Sequence, residues 1–276
     1  MKNLFKKNTL FYILITCQML FYSCSQKKVE ENKKDDPITK SDAKKSVIER
    51  FPNISFEEQV KLFLQENLNI DKNEKYTYEI VKGHLNNDGI QDAVISVNRY
   101  EFAKKRALNS KNPAKQFDLG LMGSDNLFYL FNGKEKKFSS SPTVIPSTPM
   151  VPLQLSLKKI TSADKLDILI EYRIRNSAWI GIYEVSGFIP NLVFNWKKYD
   201  GFGSSNPEAC LFTFSNINKG FPLKITISKA EITNNKSKEI KDYSTANAQI
   251  KSLNEIMYLF SFNKRINKYA TKKESI

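Results

Sequence analysis

Sulfur and imidazole are scarce in this chain: its 276 residues include three cysteines and a single histidine, His84. A tetrahedral zinc site built from cysteine and histidine is therefore out of reach of one copy. Cys17 and Cys24 lie close to the N-terminus, so the body of the chain holds one thiol, Cys210, and cannot form an internal disulfide. Stability must come from a buried core. Cys210 itself sits in Ala209-Cys210-Leu211-Phe212, a setting for a small buried hydrophobe rather than a nucleophile. Also missing are G-x-S-x-G, H-E-x-x-H and a glycine-rich phosphate loop, which removes the common hydrolase and nucleotide signatures and predicts a protein that is not an enzyme.

Acidic residues are too few to balance the basic ones, and the formal net charge is +14, of which Lys2, Lys6 and Lys7 contribute three. A basic exterior attracts anionic polymers when its charge is gathered into a patch. Here the lysines are scattered, often beside Glu or Asn, and read as a solvated surface. No nucleic-acid partner is expected.

The N-terminus has the layout of a secretory leader. Its basic start is followed by a mostly apolar stretch, Leu10 to Leu20, too short for a permanent membrane span, and then by Phe21-Tyr22-Ser23 before Cys24. A small residue directly before a cysteine resembles the lipobox of bacterial lipoproteins. That resemblance implies cleavage before Cys24, acylation of Cys24 by palmitate-type chains, and a lipid-anchored place in the bacterial cell envelope. Ser25, in place of Asp, resembles an outer-membrane address. Residues 25 to 45 carry both charge signs and almost no apolar side chains, so they read as a disordered tether. The division is thus a signal peptide over 1–23, a tether over 24–45 and a single β-rich domain over 46–276.

Within the domain the organising stretch is Gly83 to Val97. Asn86, Asn87, Asp88 and Gly89 make a tight Asx/Gly turn, and Ala93, Val94, Ile95 and Val97 supply the content of a buried strand. The spacing resembles the calcium loop of FG-GAP (VCBS-type) repeats. The resemblance implies oxygen ligands from Asn86, Asp88, the Ile90 carbonyl and Asp92. His84 stands where the family has Asp, and an imidazole offers little to a hard cation. The turn is therefore read first as metal-free, its Asx groups serving backbone donors, with calcium as the alternative and no other cofactor expected.

The pattern returns in weaker form. Asp167 precedes Ile168-Leu169-Ile170 as Asp92 precedes Ala93-Val94-Ile95, and a third copy places Asn218 and Gly220 in a turn with Lys224 where the acid was. Three degenerate repeats, about 75–140, 150–198 and 208–233, predict a mainly β fold: propeller-like or sandwich-like repeats of antiparallel strands with one N-terminal amphipathic helix. That helix begins at a Ser55/Glu58 capping box and runs to Asn69. A second helix is predicted near Thr245 to Asn254, and Tyr100 to Asp125 reads as a long polar loop.

These features predict a membrane-tethered binding or scaffold module whose partner is an envelope protein or polysaccharide. Its contact surface would comprise the Tyr100–Asp125 excursion and the loops near Asn176 and Tyr199 to Asn206. Trp179, Trp196, Tyr199 and Phe202 are candidates for stacking on sugar rings, with burial in the core as the competing reading. The alternative function is a hydrolase of envelope polysaccharide or peptidoglycan, using Asp88 with Asp92 or Asp164 with Asp167.

Overall fold

Seven consecutive residues, Asp92–Asn98, form a strand that is buried along its whole length. An alternating strand has one wet face, so this one must be covered on both sides. A computed structural model, which describes residues 45–216 and 220–271, shows how. The leader, Cys24, the tether and Asn218 of the third turn fall outside the described residues.

The covered strand, β2, lies second in a five-stranded antiparallel sheet with β1 (Thr77–Gly83), β3 (Asn126–Asn132), β4 (Lys137–Phe138) and β5 (Thr143–Val144). The order is β1-β2-β3-β4, and β5 also pairs with β3. On one face lie two helices, α1 (Val47–Arg50) and α2 (Phe56–Asn67). Helix α2 starts where the sequence places its cap: Ser55 accepts from the Glu58 amide, and the Glu58 carboxylate accepts from Ser55. Its apolar stripe, Val60, Phe63 and Leu64, meets Ile95, Val97, Tyr129 and Phe138. Fully burying each such side chain contributes about 1.5–3 kcal/mol. That is what holds a short helix in place.

The opposite face of β2 and β3 meets the second sheet. Val94, Phe128 and Leu130 share a cluster with Ile168, Ile170 and Tyr183. This second sheet has eight strands in chain order: β6 (Gln154–Lys158), β7 (Asp167–Ile174), β8 (Ser177–Ser186), β9 (Ile189–Asp200), β10 (Glu208–Ser215), β11 (Lys224–Ile232), β12 (Ile250–Asn263) and β13 (Lys268–Thr271). Its later half curls on itself. Phe194 of β9 reaches Phe260 of β12 at 5.3 Å and Tyr269 of β13 at 6.0 Å, over a layer of Ile180, Ile182, Ile225 and Ile227. The curl does not close into a barrel, and the domain is mainly β and sandwich-like.

Two sequence expectations give way here. Tyr100 to Asp125 is not one loop but holds α3 (Tyr100–Leu108) and α4 (Pro113–Asp118). Helix α4 has Asn112 as its cap and Pro113 in its first turn, while α3 has no side-chain cap and buries only Ala103 and Ala107, so its pattern was weak. Thr245 to Asn254 forms no helix: β12 begins at Ile250, and two register shifts against β11 break its alternation. Residues 233–249 cross the sheet as a strap. The buried Arg173 guanidinium donates to the Tyr243 and Ala246 carbonyls, each at 2.9 Å, and lies over the Tyr199 ring.

Candidate functional site

The residues singled out as ligands come together at the β1–β2 turn, but each is already engaged. Asp92 is buried and accepts from the Leu85 amide through Oδ2 and from the Gly133 amide through Oδ1, both at 3.0 Å. Asp88 accepts from the Ile90 amide at 2.8 Å, and Asn86 accepts from the Asp88 amide at 2.9 Å. The Ile90 carbonyl lies 3.1 Å from His84 Nδ1. These bonds are those of a chain of Asx turns with a buried carboxylate at its base.

The second turn repeats the arrangement. Asp167 accepts from the Ile160 amide at 3.0 Å, the Thr161 amide at 2.6 Å and the Thr161 hydroxyl at 2.7 Å. The two turns touch, since the Leu166 amide donates to the His84 carbonyl at 2.8 Å. Among the described residues no group of three or more His, Cys, Asp or Glu converges as a metal cage. The pairs considered for hydrolysis, Asp88 with Asp92 and Asp164 with Asp167, each contain one buried carboxylate, Asp92 or Asp167, committed to backbone donors.

A different concavity has the chemistry of a binding site. Strands β9 and β10 pair through only Asp200↔Glu208 and Tyr199↔Ala209, and then part, while β8 stays paired along β9. The opening, about 430 Å³, is walled by Trp179, Trp196, Asp200, Glu208, Cys210 and Tyr258. Trp196 packs against Tyr258 and Phe260 of β12, each at 5.3 Å. Burial, and after it the nearby Glu208 charge, pushes the Cys210 thiol up. Trp179 stacks on Tyr172 at 6.4 Å and 14°, and Tyr172 donates its hydroxyl to Asn195 at 3.1 Å.

The two carboxylates of this cleft differ. Asp200 accepts from Lys197 and Ser177, and from the Gly201 amide at 3.1 Å, which together hold its carboxyl below the usual range, Lys197 most strongly. Glu208 is exposed and makes no hydrogen bond or ion pair among the described residues. Met257 and Tyr258 form an apolar lip, 41% and 40% exposed. Phe202, by contrast, is fully buried against Tyr199 and Tyr243, and Tyr199 is 5% exposed, so neither offers a ring face to a partner.

Comparison with protein families, curated proteins and solved structures returns no match. The choice of site therefore rests on geometry. A larger groove of about 1020 Å³ lies between residues 69–75 and α3, but Phe102 is its one aromatic wall and its arginine, Arg106, is in use. Arg99 forms a two-point ion pair with Glu74 at 2.6 Å, Arg106 pairs with Asp125 at 2.6 Å, and the Arg99 guanidinium covers Phe102 at 4.1 Å. The β9–β10 cleft has what that groove lacks: several aromatic walls beside an unpaired acceptor. Trp179 and Trp196 were visible in the sequence as candidates. Glu208 was not, because only the β9–β10 register brings it to Asp200.

Proposed function

We propose that this chain is a bacterial envelope lipoprotein, anchored through acylated Cys24, whose β domain is a binding or scaffold module with the β9–β10 cleft as its contact site. The observation that carries the reading is the parting of β9 and β10, which leaves aromatic side chains and a free carboxylate facing solvent where a continuous sheet would bury or pair them. Unpaired strand edges invite association, and a partner seated in the opening would cover them. No helix among the described residues is long and apolar enough to cross a membrane. An acyl anchor supplies attachment of another kind, each buried methylene contributing about 0.8 kcal/mol.

A hydrolase of envelope polymers is the second reading, and one observation favours it: Asp200 and Glu208 are direct partners across the β9–β10 ladder, inside the cleft. Paired carboxylates divide into acid and base when their environments differ and the acid is shielded from water. Glu208 is exposed, so the pair lacks that shielding. Binding is the better-supported role.

Two experiments test the proposal in cells. Labelling with an alkyne fatty acid is expected to mark the wild type and not Cys24→Ala, which is released from the membrane. Photo-crosslinking from a reactive residue placed at Met257, on the lip, is expected to give an adduct that the same residue at exposed Lys61 does not. Label that persists in Cys24→Ala removes the anchor, and the absence of a Met257-specific adduct removes the contact site.

A further inference from the structure

We infer that the ligand of the β9–β10 cleft is an uncharged glycan, walled by Trp179, Trp196 and Tyr258, with Asp200 and Glu208 accepting its hydroxyl protons. The inference rests on the cleft being the contact site and adds the class of molecule that it takes. A sugar presents an apolar face of C–H groups rimmed by hydroxyls, so its site needs an aromatic wall and hydrogen-bond acceptors close beside it. Both are here within one opening of about 430 Å³, inside the range of about 300–1,000 Å³ usual for small-ligand sites.

The acceptors suit hydroxyl donors. Asp200 is fixed in place by Lys197 and Ser177, and its Lys197-bound oxygen retains a lone pair. Glu208 has both oxygens unengaged among the described residues. Asn195 adds an amide at the margin. An oriented acceptor next to a free one matches neighbouring hydroxyls of a sugar ring.

Charge chooses between kinds of glycan. Lys197 offsets Asp200, whereas nothing offsets Glu208, so the cleft is locally negative although the chain as a whole is at +14. An acidic sugar would meet a like charge, which costs affinity. The overall basic charge is thus a poor guide to this site. A fatty acyl chain fits the aromatic wall but would strip water from Asp200, Glu208 and Asn195 without giving them partners.

The test uses the full chain, titrated with maltotetraose, cellotetraose, mannotetraose and chitotetraose, with tetragalacturonate as the acidic counterpart and laurate as the acyl one. Tryptophan emission and calorimetry report binding. At least one uncharged tetrasaccharide is expected to bind saturably and tetragalacturonate not to bind. Glu208→Gln, a surface change that leaves the fold intact, is expected to weaken binding about tenfold, and Trp179→Ala to abolish it, with thermal melts confirming that both variants are folded. The inference is overturned by no saturable response to any of the four sugars, by equal or better binding of tetragalacturonate or laurate, or by affinity unchanged in Glu208→Gln and Trp179→Ala. If sugars fail while the Met257 adduct persists, the ligand class falls and the contact site stands. If both fail, both fall.

Discussion

Asp167 holds the amide of Ile160, seven residues before it, as Asp92 holds that of Leu85, in both cases at 3.0 Å. The two carboxylates stand at the first residues of β7 and β2, each closing the turn that leads into its strand. A turn that must reverse tightly leaves backbone amides pointing inward, away from water. A carboxylate at the base of the turn satisfies several of them at once. That need explains the recurrence of Asp ahead of an apolar run without reference to any ion.

Asp92→Ala and Asp167→Ala should therefore be costly. Each leaves at least two backbone donors unpaired in the interior, at about 1–3 kcal/mol per donor. Asp88→Ala, which removes one bond at an exposed turn, should cost less than about 1 kcal/mol. Urea unfolding of the three variants checks the order. Equal losses in all three would mean that the buried carboxylates do not anchor the turns.

Two glycines should differ for a physical reason. Gly89 has φ +74° and open space around a would-be Cβ, so Gly89→Ala costs only backbone strain, about 1 kcal/mol. A Cβ on Gly133 would lie 2.0 Å from the Gln91 carbonyl oxygen, so Gly133→Ala must displace the β3–β4 turn from β2. Thermal melts should rank Gly133→Ala well below Gly89→Ala. The reverse order would contradict the contact between these turns. Run with calcium and with chelator, the wild-type melt should be unchanged; a calcium-dependent rise lost in Asp88→Ala would show that the turn holds a cation.

Acid should act on the cleft through Asp200. Its carboxyl is held below the ordinary value, first by Lys197 and then by Ser177, so its folded pKa is lower than its unfolded one of about 3.9. The stability it contributes is present above the unfolded value and is lost as pH falls through the folded one. As pH falls below the ordinary carboxylate range, the wild-type Tm should fall more steeply than that of Asp200→Asn. Parallel curves would show that Asp200 gains nothing from its partners. The effect should be small, because both side chains are more than a third exposed.

Much of the core was legible. The capping box at Ser55, the apolar run after Asp92 and its weaker echo at Asp167 are local patterns, and local patterns need no knowledge of the rest of the chain. Helix α3 was missed because its sequence, YEFAKKRAL, carries a central Lys-Lys-Arg run and lacks a capping side chain. The stretch before Asn254 looked helical because bulges in β12 replace alternation with wider spacings, as where Ser228↔Ile256 is followed by Ala230↔Ser252. The cleft lay beyond sequence reading for a deeper reason. It exists because β9 and β10 stop pairing after two residue pairs, and its walls include Met257 and Tyr258 of β12, far along the chain.

The openness of that cleft is the claim on which the functional account depends, and Cys210 reports on it directly. Its side chain lines the opening and is half-buried. The measurement is the rate of modification of the Cys210 thiol by a small disulfide reagent at fixed pH, read by peptide mapping, in the wild type and in Gly133→Ala. If the cleft is open in the native state, Cys210 reacts slowly, because its thiol is pushed up, but at the same rate in both proteins. A rate that rises in step with the loss of global stability in Gly133→Ala would mean that Cys210 is reached only by unfolding, and that β9 and β10 enclose a core rather than a site.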